Sequence, residues 1–352
     1  MEFVSESQGW MNPSTEVRVG VIGVGFGQHV LVPAVRSDRR AEVVALAASS
    51  LNRARQVADR IQVPQAYGGW AELIEEAAVD AVCIAVPPAL QPEIACAAAS
   101  AGVHIFCEKP LAVDLSSAEL TLASVRAAGV THGIDFEFRE IPAWQLARQA
   151  IQEGRLGRIR HAALAWRVET RARRFGVHTW KLKKAEGGGT LNQFGSHSLD
   201  YLEWLFGRVA RVSARISPDD GWGDARVDAW LEVEDGTSIN LSVATDAFRG
   251  TGHRLEVYGE EGTLLLENPT SDYVNGFSLA LTTRADGTLH QLFDPTSSKA
   301  DGRINAVGNL FSRFLDAATK GQGTEPNLED AVRVQHLISV LDEASRSGTW
   351  QS

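Results

Sequence analysis

The sequence predicts an α/β protein in two parts: a doubly wound parallel sheet, then an α/β domain whose sheet is mostly antiparallel. Three observations carry that expectation. Up to about residue 135, short and nearly continuous apolar runs alternate with amphipathic stretches, as strands covered on both faces do. The first run leads through a glycine-rich turn into the first helix. Beyond residue 136 the pattern becomes apolar–polar alternation punctuated by Asp235-Gly236 and Asp286-Gly287, a hairpin signature.

In the first part the strands are expected at Val17–Ile22, Val43–Ala47, Ala81–Val86, Val103–Cys107 and Val130–Phe136, all rich in Val, Ile and Ala. Between them Gln28–Val35, Arg53–Ile61, Ala71–Ala77, Leu90–Ala101 and Leu115–Ala128 repeat apolar residues at three- and four-residue spacing, as helices require. Strand–helix repetition of this kind builds a doubly wound sheet. In the second part helices are expected at Pro142–Glu153 and Ser196–Phe206. Half-exposed strands follow from the alternation at Ile159–Thr170, Val209–Ile216, Val227–Val233, Ser238–Thr245, Arg254–Tyr258, Thr263–Glu267, Phe277–Thr283 and Leu289–Phe293. Helices at Asn305–Thr319 and Asn327–Arg346 close the chain. The expected division is a flexible extension over 1–14, a nucleotide-binding domain over 15–136, and a second domain over 137–352.

Composition narrows the function. The 352 residues carry 34 Lys+Arg against 44 Asp+Glu, a net charge of −10, which argues against a nucleic-acid footprint. No apolar run is long enough to span a bilayer, and the polar, acidic start has no leader-peptide pattern. Cys83, Cys96 and Cys107 lie inside apolar runs without metal spacing, so reduced thiols in a cytoplasmic protein and no metal site are expected.

The turn after the first strand reads Gly23-Val24-Gly25-Phe26-Gly27-Gln28. Glycines there permit a tight turn and bring backbone N–H groups to a pyrophosphate at a helix N-terminus. The strand before it and the helix after it give the turn its meaning as a dinucleotide site, although Gln28 stands where the usual third glycine would. At the end of the second strand Ser49, Ser50 and Arg53 replace the acidic residue that binds an NAD ribose. Hydroxyls and a guanidinium suit a 2′-phosphate, so the reading is NAD(P) with a lean to NADP; a solvated helix residue is the competing reading of Arg53.

Val86-Pro87-Pro88-Ala89-Leu90-Gln91 follows the next core strand, and Cys107-Glu108-Lys109-Pro110 the one after. With the glycine turn, with Phe138-Arg139 and Pro142, and with Gly187-Gly188-Gly189-Thr190-Leu191 leading to Gly195-Ser196-His197, these segments resemble the Gfo/Idh/MocA oxidoreductase family. Gly259-Glu260-Glu261-Gly262-Thr263-Leu264 and the closing helices continue the match. The resemblance implies a Rossmann domain, an α/β domain with a large open sheet that mediates homodimer or homotetramer contacts, and a sugar, sugar derivative or inositol as substrate. It implies cofactor contacts from Gly23, Gly25, Phe26, Gly27, Gln28, Val86, Pro87, Pro88, Gln91, Glu108 and Lys109. Lys109 matches the lysine that meets cofactor and substrate hydroxyl, and a lysine at a strand's carboxyl end is suited to settling a developing alkoxide. His197 matches the catalytic histidine, which titrates near neutrality and can exchange the hydroxyl proton.

Many relatives carry Asp-x-Gly-x-His, whereas this chain has Gln193-Phe194-Gly195-Ser196-His197. A glutamine can face His197 at i,i+4 but brings no charge; Asn192 and Asp200 flank the position. Arg139, Trp180, Lys181 and Gln193 are the expected substrate contacts, with Trp180 suited to a pyranose face and the cations to hydroxyls or an anionic group. Arg171-Ala172-Arg173-Arg174 reads as a solvated loop, with binding of an anionic substrate group as the competing reading. An NAD-dependent glycoside hydrolase and a non-catalytic dinucleotide- or sugar-sensing regulator stand as the alternatives.

Overall fold

The computed structural model describes residues 16–218, 221–295, 300–321 and 323–352, so the expected extension over 1–14 lies outside the described residues. The chain forms two compact units. The first takes the chain up to Ala112, then Ser116–Asp135 and Ile304–Val332; the second takes Val113–Leu115, Phe136–Arg303 and Arg333–Ser352.

In the first unit β1 (Val17–Ile22) enters a π-helical turn, Gly27–Leu31, that continues as α1 (Val32–Arg36). There follow β2 (Ala41–Ala47), α2 (Leu51–Ile61), β3 (Gln65–Tyr67), α3 (Trp70–Glu76), β4 (Ala81–Ile84), α4 (Gln91–Ser100), β5 (His104–Cys107), α5 (Leu115–Ala128) and β6 (His132–Ile134). The six strands are parallel in the order β3-β2-β1-β4-β5-β6, the doubly wound arrangement whose chain reversal lies beside β1. β4 is buried at every residue, as a strand covered on both faces must be. β3 escapes an apolar-run reading because it is a three-residue edge strand beginning on an exposed glutamine.

In the second unit a 3₁₀ turn, Glu137–Glu140, precedes α6 (Pro142–Gln152) and β7 (Ile159–Arg167). Short turns of helix, including α7 (Arg171–Phe175), lead to α8 (Ser196–Phe206). Seven strands complete the sheet: β8 (Val209–Ile216), β9 (Arg226–Val233), β10 (Ser238–Ala244), β11 (Gly252–Gly259), β12 (Gly262–Asn268), β13 (Ser278–Thr283) and β14 (His290–Phe293). The order is β14-β13-β12-β11-β7-β10-β9-β8, antiparallel throughout except where β7 runs parallel to β10. One face of each central strand is buried and the other is not: in β9 Val227, Ala229, Leu231 and Val233 point inward and alternate with less buried residues.

The closing helices are α9 (Gly302–Lys320) and α10 (Leu328–Ser347). α9 shows where periodicity is informative and where it stops. Val307, Leu310, Phe311, Phe314 and Leu315 form the expected stripe, but they bury in one cluster with Val17, Val19, Val21 and Val43 of the parallel sheet. Phe311 and Phe314 each stand within 6 Å of the Phe106 ring. The contact division thus places Ile304–Val332 with the first unit, where the sequence reading kept everything after 137 together. α10 starts from a reciprocal cap: Asn327 Oδ1 accepts from the Glu329 and Asp330 amides while Asp330 Oδ2 accepts from Asn327 N–H. Among the described residues no helix is long and apolar enough to cross a membrane.

Candidate active site

The glycine turn after β1 assigns each glycine a different job. Gly23 has φ +104°, and a Cβ there would stand 2.1 Å from the Ala85 carbonyl oxygen, so the turn closes against β4 only without a side chain. A Cβ on Gly27 would come within 2.9 Å of Val21, so this glycine lets the helical turn lie close on β1. Around Gly25 there is nothing within 4 Å of the Cβ position. That open backbone fits the place where a dinucleotide pyrophosphate approaches the chain. Gln28, in the position of the usual third glycine, folds its amide back onto the Val24 carbonyl at 2.5 Å and accepts from Arg60, bracing the turn from within. Phe26 packs against the unit's apolar core.

At the end of β2, Ser49, Ser50 and Arg53 are exposed. Ser50 has a local task, since its Oγ caps α2 by accepting from the Arg53 amide at 3.4 Å. Ser49 and the Arg53 guanidinium remain on the surface next to it. β1 and β2 are paired through Ile22 and Ala47, and Gly23 N–H donates to the Ala47 carbonyl, so this segment adjoins the glycine turn.

After β4, Val86 and Pro87 are half-buried and Pro88 is buried. Gln91 departs from its expected role. Its side chain is fully buried, and Nε2 donates to the carbonyls of Glu108 (2.8 Å) and Pro110 (2.6 Å). With no exposed surface, Gln91 acts on the Glu108-Lys109-Pro110 turn and not by touching a dinucleotide: it grips the backbone on either side of Lys109. That turn begins where β5 ends, with Glu108 N–H bonded to the Ile84 carbonyl, and leaves the Glu108 and Lys109 side chains half-buried.

In the second unit the histidine site is built from α8 and the turn after β6. The Gly187-Gly188-Gly189 run makes the entry to α8 possible. A Cβ on Gly188 would meet the Trp180 carbonyl oxygen at 2.5 Å, and one on Gly189 (φ +100°) would meet Asp224 Oδ1 at 2.1 Å. Asp224, whose carboxyl is pushed up by burial, accepts from Leu191 N–H, and its own carbonyl accepts from the Thr190 hydroxyl. Arg173 holds the same loop from outside, donating to the carbonyls of Trp222, Gly223 and Asp224. The arginine cluster is therefore divided: Arg173 is a brace, while Arg171 and Arg174 are exposed. Asp224 is not marked in the sequence, and the bracing role of Arg173 is not legible there, since each works on a segment distant along the chain.

The chain then makes a π-helical turn, Leu191–Gly195, which alters the i,i+4 relation between Gln193 and His197 expected of an α-helix. Gln193 is buried, and its Nε2 donates to the Gly187 carbonyl at 3.2 Å. His197 stands in the first turn of α8, flanked by the rings of Phe138 (5.0 Å), Phe136 (6.3 Å) and Trp166 (6.4 Å). Its Nδ1 lies 3.7 Å from Glu137 Oε2, both side chains being only 6% exposed. Glu137 was missed by sequence reasoning. An acid between two buried phenylalanines was its one available signal.

Arg139 corrects another expectation. Its guanidinium meets Asp200 with Nη2–Oδ1 at 2.5 Å and Nε–Oδ2 at 3.0 Å, and the pair is buried, so the arginine's fork is directed into the protein and not toward a substrate. It fastens the Glu137–Glu140 turn to α8. Trp180 is half-buried and Lys181 exposed on a short 3₁₀ turn lying over Gly188, the Lys181 ammonium 5.8 Å from the Trp180 ring centroid.

Comparison with known proteins agrees with this architecture. Residues 17–136 match the family model described as an oxidoreductase family with an NAD-binding Rossmann fold, and residues 144–265 match that of the Gfo/Idh/MocA C-terminal domain. The chain is 31% identical to an uncharacterized oxidoreductase of Synechocystis sp., over 97% of each sequence. It is 30% identical to 1,5-anhydro-D-fructose reductase of Ensifer adhaerens, over 95% of this chain and 97% of that one. A levoglucosan dehydrogenase solved with NADH and levoglucosan superposes with a TM-score of 0.86 at 22% identity, covering 96% of this chain and 98% of the other, and so shares the fold. The glycine turn, the parallel order around β1 and the two family matches together make this chain a member of the Gfo/Idh/MocA oxidoreductases, with an NAD-binding Rossmann fold in its first part.

Proposed function

We propose that the chain is an NAD(P)-dependent dehydrogenase or reductase acting on a hydroxyl-bearing or carbonyl carbon of a sugar, sugar derivative or inositol. The observation that carries this reading is the buried histidine at the head of α8 with a carboxylate set beside it, an arrangement made for moving a proton. Relatives named for a sugar-derived ketone and an anhydrosugar support the substrate class. A nicotinamide held there would supply the hydride acceptor or donor. Gly23, Gly25, Phe26, Gly27 and Gln28 hold the dinucleotide, together with Val86, Pro87, Pro88 and Glu108. Lys109 settles the charge that develops on the substrate oxygen, and His197 takes up or returns the hydroxyl proton. Trp180 and Lys181 contact substrate; Gln193 supports the approach to His197 from its bond to Gly187.

The cofactor preference we assign is NADP, because Ser49 and Arg53 are exposed at the end of β2 and no carboxylate stands there. We further propose a cytoplasmic homodimer or homotetramer assembled through the second unit's sheet. Its uncovered face carries Trp230 and Tyr258 around His161, whose ring stacks on Tyr258 at 6.2 Å and 11°, and the three cysteines are free.

The test is turnover of NAD⁺ and NADP⁺ against a panel of sugars and inositols by the wild type, Lys109→Ala and His197→Asn. Each variant is expected to lose about 10²- to 10⁴-fold in kcat while calorimetric dinucleotide affinity stays within about threefold, uncharged binding contacts being retained. Turnover near wild type in either variant removes that residue from the mechanism.

A further inference from the structure

The chain places a glutamine where a charged partner for His197 was expected, and Asp200, next along α8, is taken by Arg139. An acid that does face the ring comes from another element. Glu137 belongs to the 3₁₀ turn before α6, and its carboxylate lies 3.7 Å from His197 Nδ1 with almost no solvent on either side chain. That is ion-pair reach, longer than a direct hydrogen bond. It becomes one by a closure of under about 1 Å, the tightening usual when a catalytic site fills.

We propose that Glu137 is the positioning residue of His197: the carboxylate that fixes the ring's tautomer and balances the charge it acquires. The proposal rests on the reading of His197 as the proton carrier. With Nδ1–H directed at Glu137, the other ring nitrogen, Nε2, is the basic one. In the oxidative direction a bound nicotinamide would accept the hydride that leaves the carbinol carbon. The O–H proton passes to Nε2, and a neutral carbonyl product leaves a positive imidazole facing Glu137. A buried carboxylate at that distance opposes the cost of burying the imidazolium. Neutral Gln193 cannot do this.

The surroundings hold Glu137 in place for that task. Phe136 and Phe138, its chain neighbours, both pack against the His197 ring, and Trp166 of β7 lies against it from the sheet. Arg139, two residues on, locks the turn onto α8 through Asp200 one turn beyond His197. Ring and carboxylate are thus held on two elements tied together by a buried ion pair.

The test uses Glu137→Gln and Glu137→Asp in the full chain, first without cofactor. The His197 imidazole resonance, assigned by its loss in His197→Asn, is titrated by NMR. Its midpoint is expected to fall in Glu137→Gln and to lie between that value and wild type in Glu137→Asp. In turnover, Glu137→Gln is expected to lose about 10- to 100-fold in kcat, with KM and dinucleotide affinity within about twofold, and Glu137→Asp to recover part of the loss. An unchanged midpoint together with unchanged kcat in Glu137→Gln overturns the proposal. If His197→Asn itself turns over normally, the reading of His197 fails first. If His197→Asn is inactive while Glu137→Gln is indistinguishable from wild type in titration and rate, only the role of Glu137 fails. Should Glu137→Gln not fold, the midpoint and kcat of Glu137→Asp decide, and wild-type values in both overturn it.

Discussion

Replacing Arg139 by methionine separates two roles that the sequence could not tell apart. The structure makes it a brace: Asp200 is 1% and Arg139 9% exposed at the side chain, joined by two short charge-assisted bonds. Removing the guanidinium leaves the Asp200 carboxylate buried without that partner, a loss of about 3–5 kcal/mol. For a unit of this size, each kcal/mol moves the melting temperature by about 2–4 °C, so Arg139→Met should melt roughly 6–20 °C below wild type. Thermal unfolding followed by tryptophan emission reads this directly, because Trp144 and Trp166 are buried in the same unit. The double variant Arg139→Met/Asp200→Leu should recover most of the loss, since an apolar pair of similar volume avoids burying the carboxylate without its guanidinium. KM for substrate should change by less than about threefold, no direct contact having been removed. A single variant that melts with the wild type while KM rises tenfold or more would refute the reasoning and restore Arg139 as a substrate ligand.

Other consequences are equally specific. His253 is buried with its ring stacked on Trp166 at 4.4 Å and 2°, and burial pushes its pKa down to about 3. The unfolded chain, with a histidine pKa near 6.5, therefore binds the extra proton first; the group's contribution is complete above about pH 6.5 and is lost as the pH falls toward 3, by about 2 kcal/mol at pH 5. Urea midpoints at pH 7 and pH 5 should show that loss in the wild type and a flatter response in His253→Phe; an equal slope in the two proteins contradicts the assignment. Gly25→Ala should fold normally yet bind dinucleotide about tenfold more weakly, whereas Gly23→Ala should lose stability, by strain and by collision with Ala85, of about 1–3 kcal/mol or more. Melting and calorimetry on the two variants check both halves. Arg53→Ala should weaken NADPH binding about tenfold and leave NADH binding unchanged, a loss of one charge-assisted contact; equal effects on the two cofactors contradict a phosphate pocket.

The parts of the molecule that were legible in the sequence are those governed by local pattern. The apolar runs located β1, β2, β4 and β5 because a doubly covered strand cannot hide its composition, and α5, α8 and β8 begin and end where periodicity places them. The glycine turn was legible for the same reason, since its geometry is local. What escaped depends on partners far along the chain. α9 announced an apolar stripe, but no spacing tells that the stripe covers the parallel sheet. Arg139 and Gln91 carry the residue types of ligands, and only their bonds to Asp200 and to the Glu108 and Pro110 carbonyls reveal them as supports. Gln193 showed that a carboxylate was missing from its customary place. It gave no sign that Glu137, fifty-six positions earlier, stands at the ring instead.

The central claim is that this chain moves a hydride between a carbinol carbon and a nicotinamide, and isotopic transfer tests it most directly. A sugar or inositol that supports turnover is supplied with deuterium on the reacting carbon, and the reduced dinucleotide and the carbonyl product are analysed by mass spectrometry. One deuterium is expected in every reduced dinucleotide, none drawn from solvent, with a carbonyl product that has lost it. Deuterium retained in a hydrolysed product with no accumulation of reduced dinucleotide, or a protein that binds dinucleotide and converts none of the panel, would contradict it.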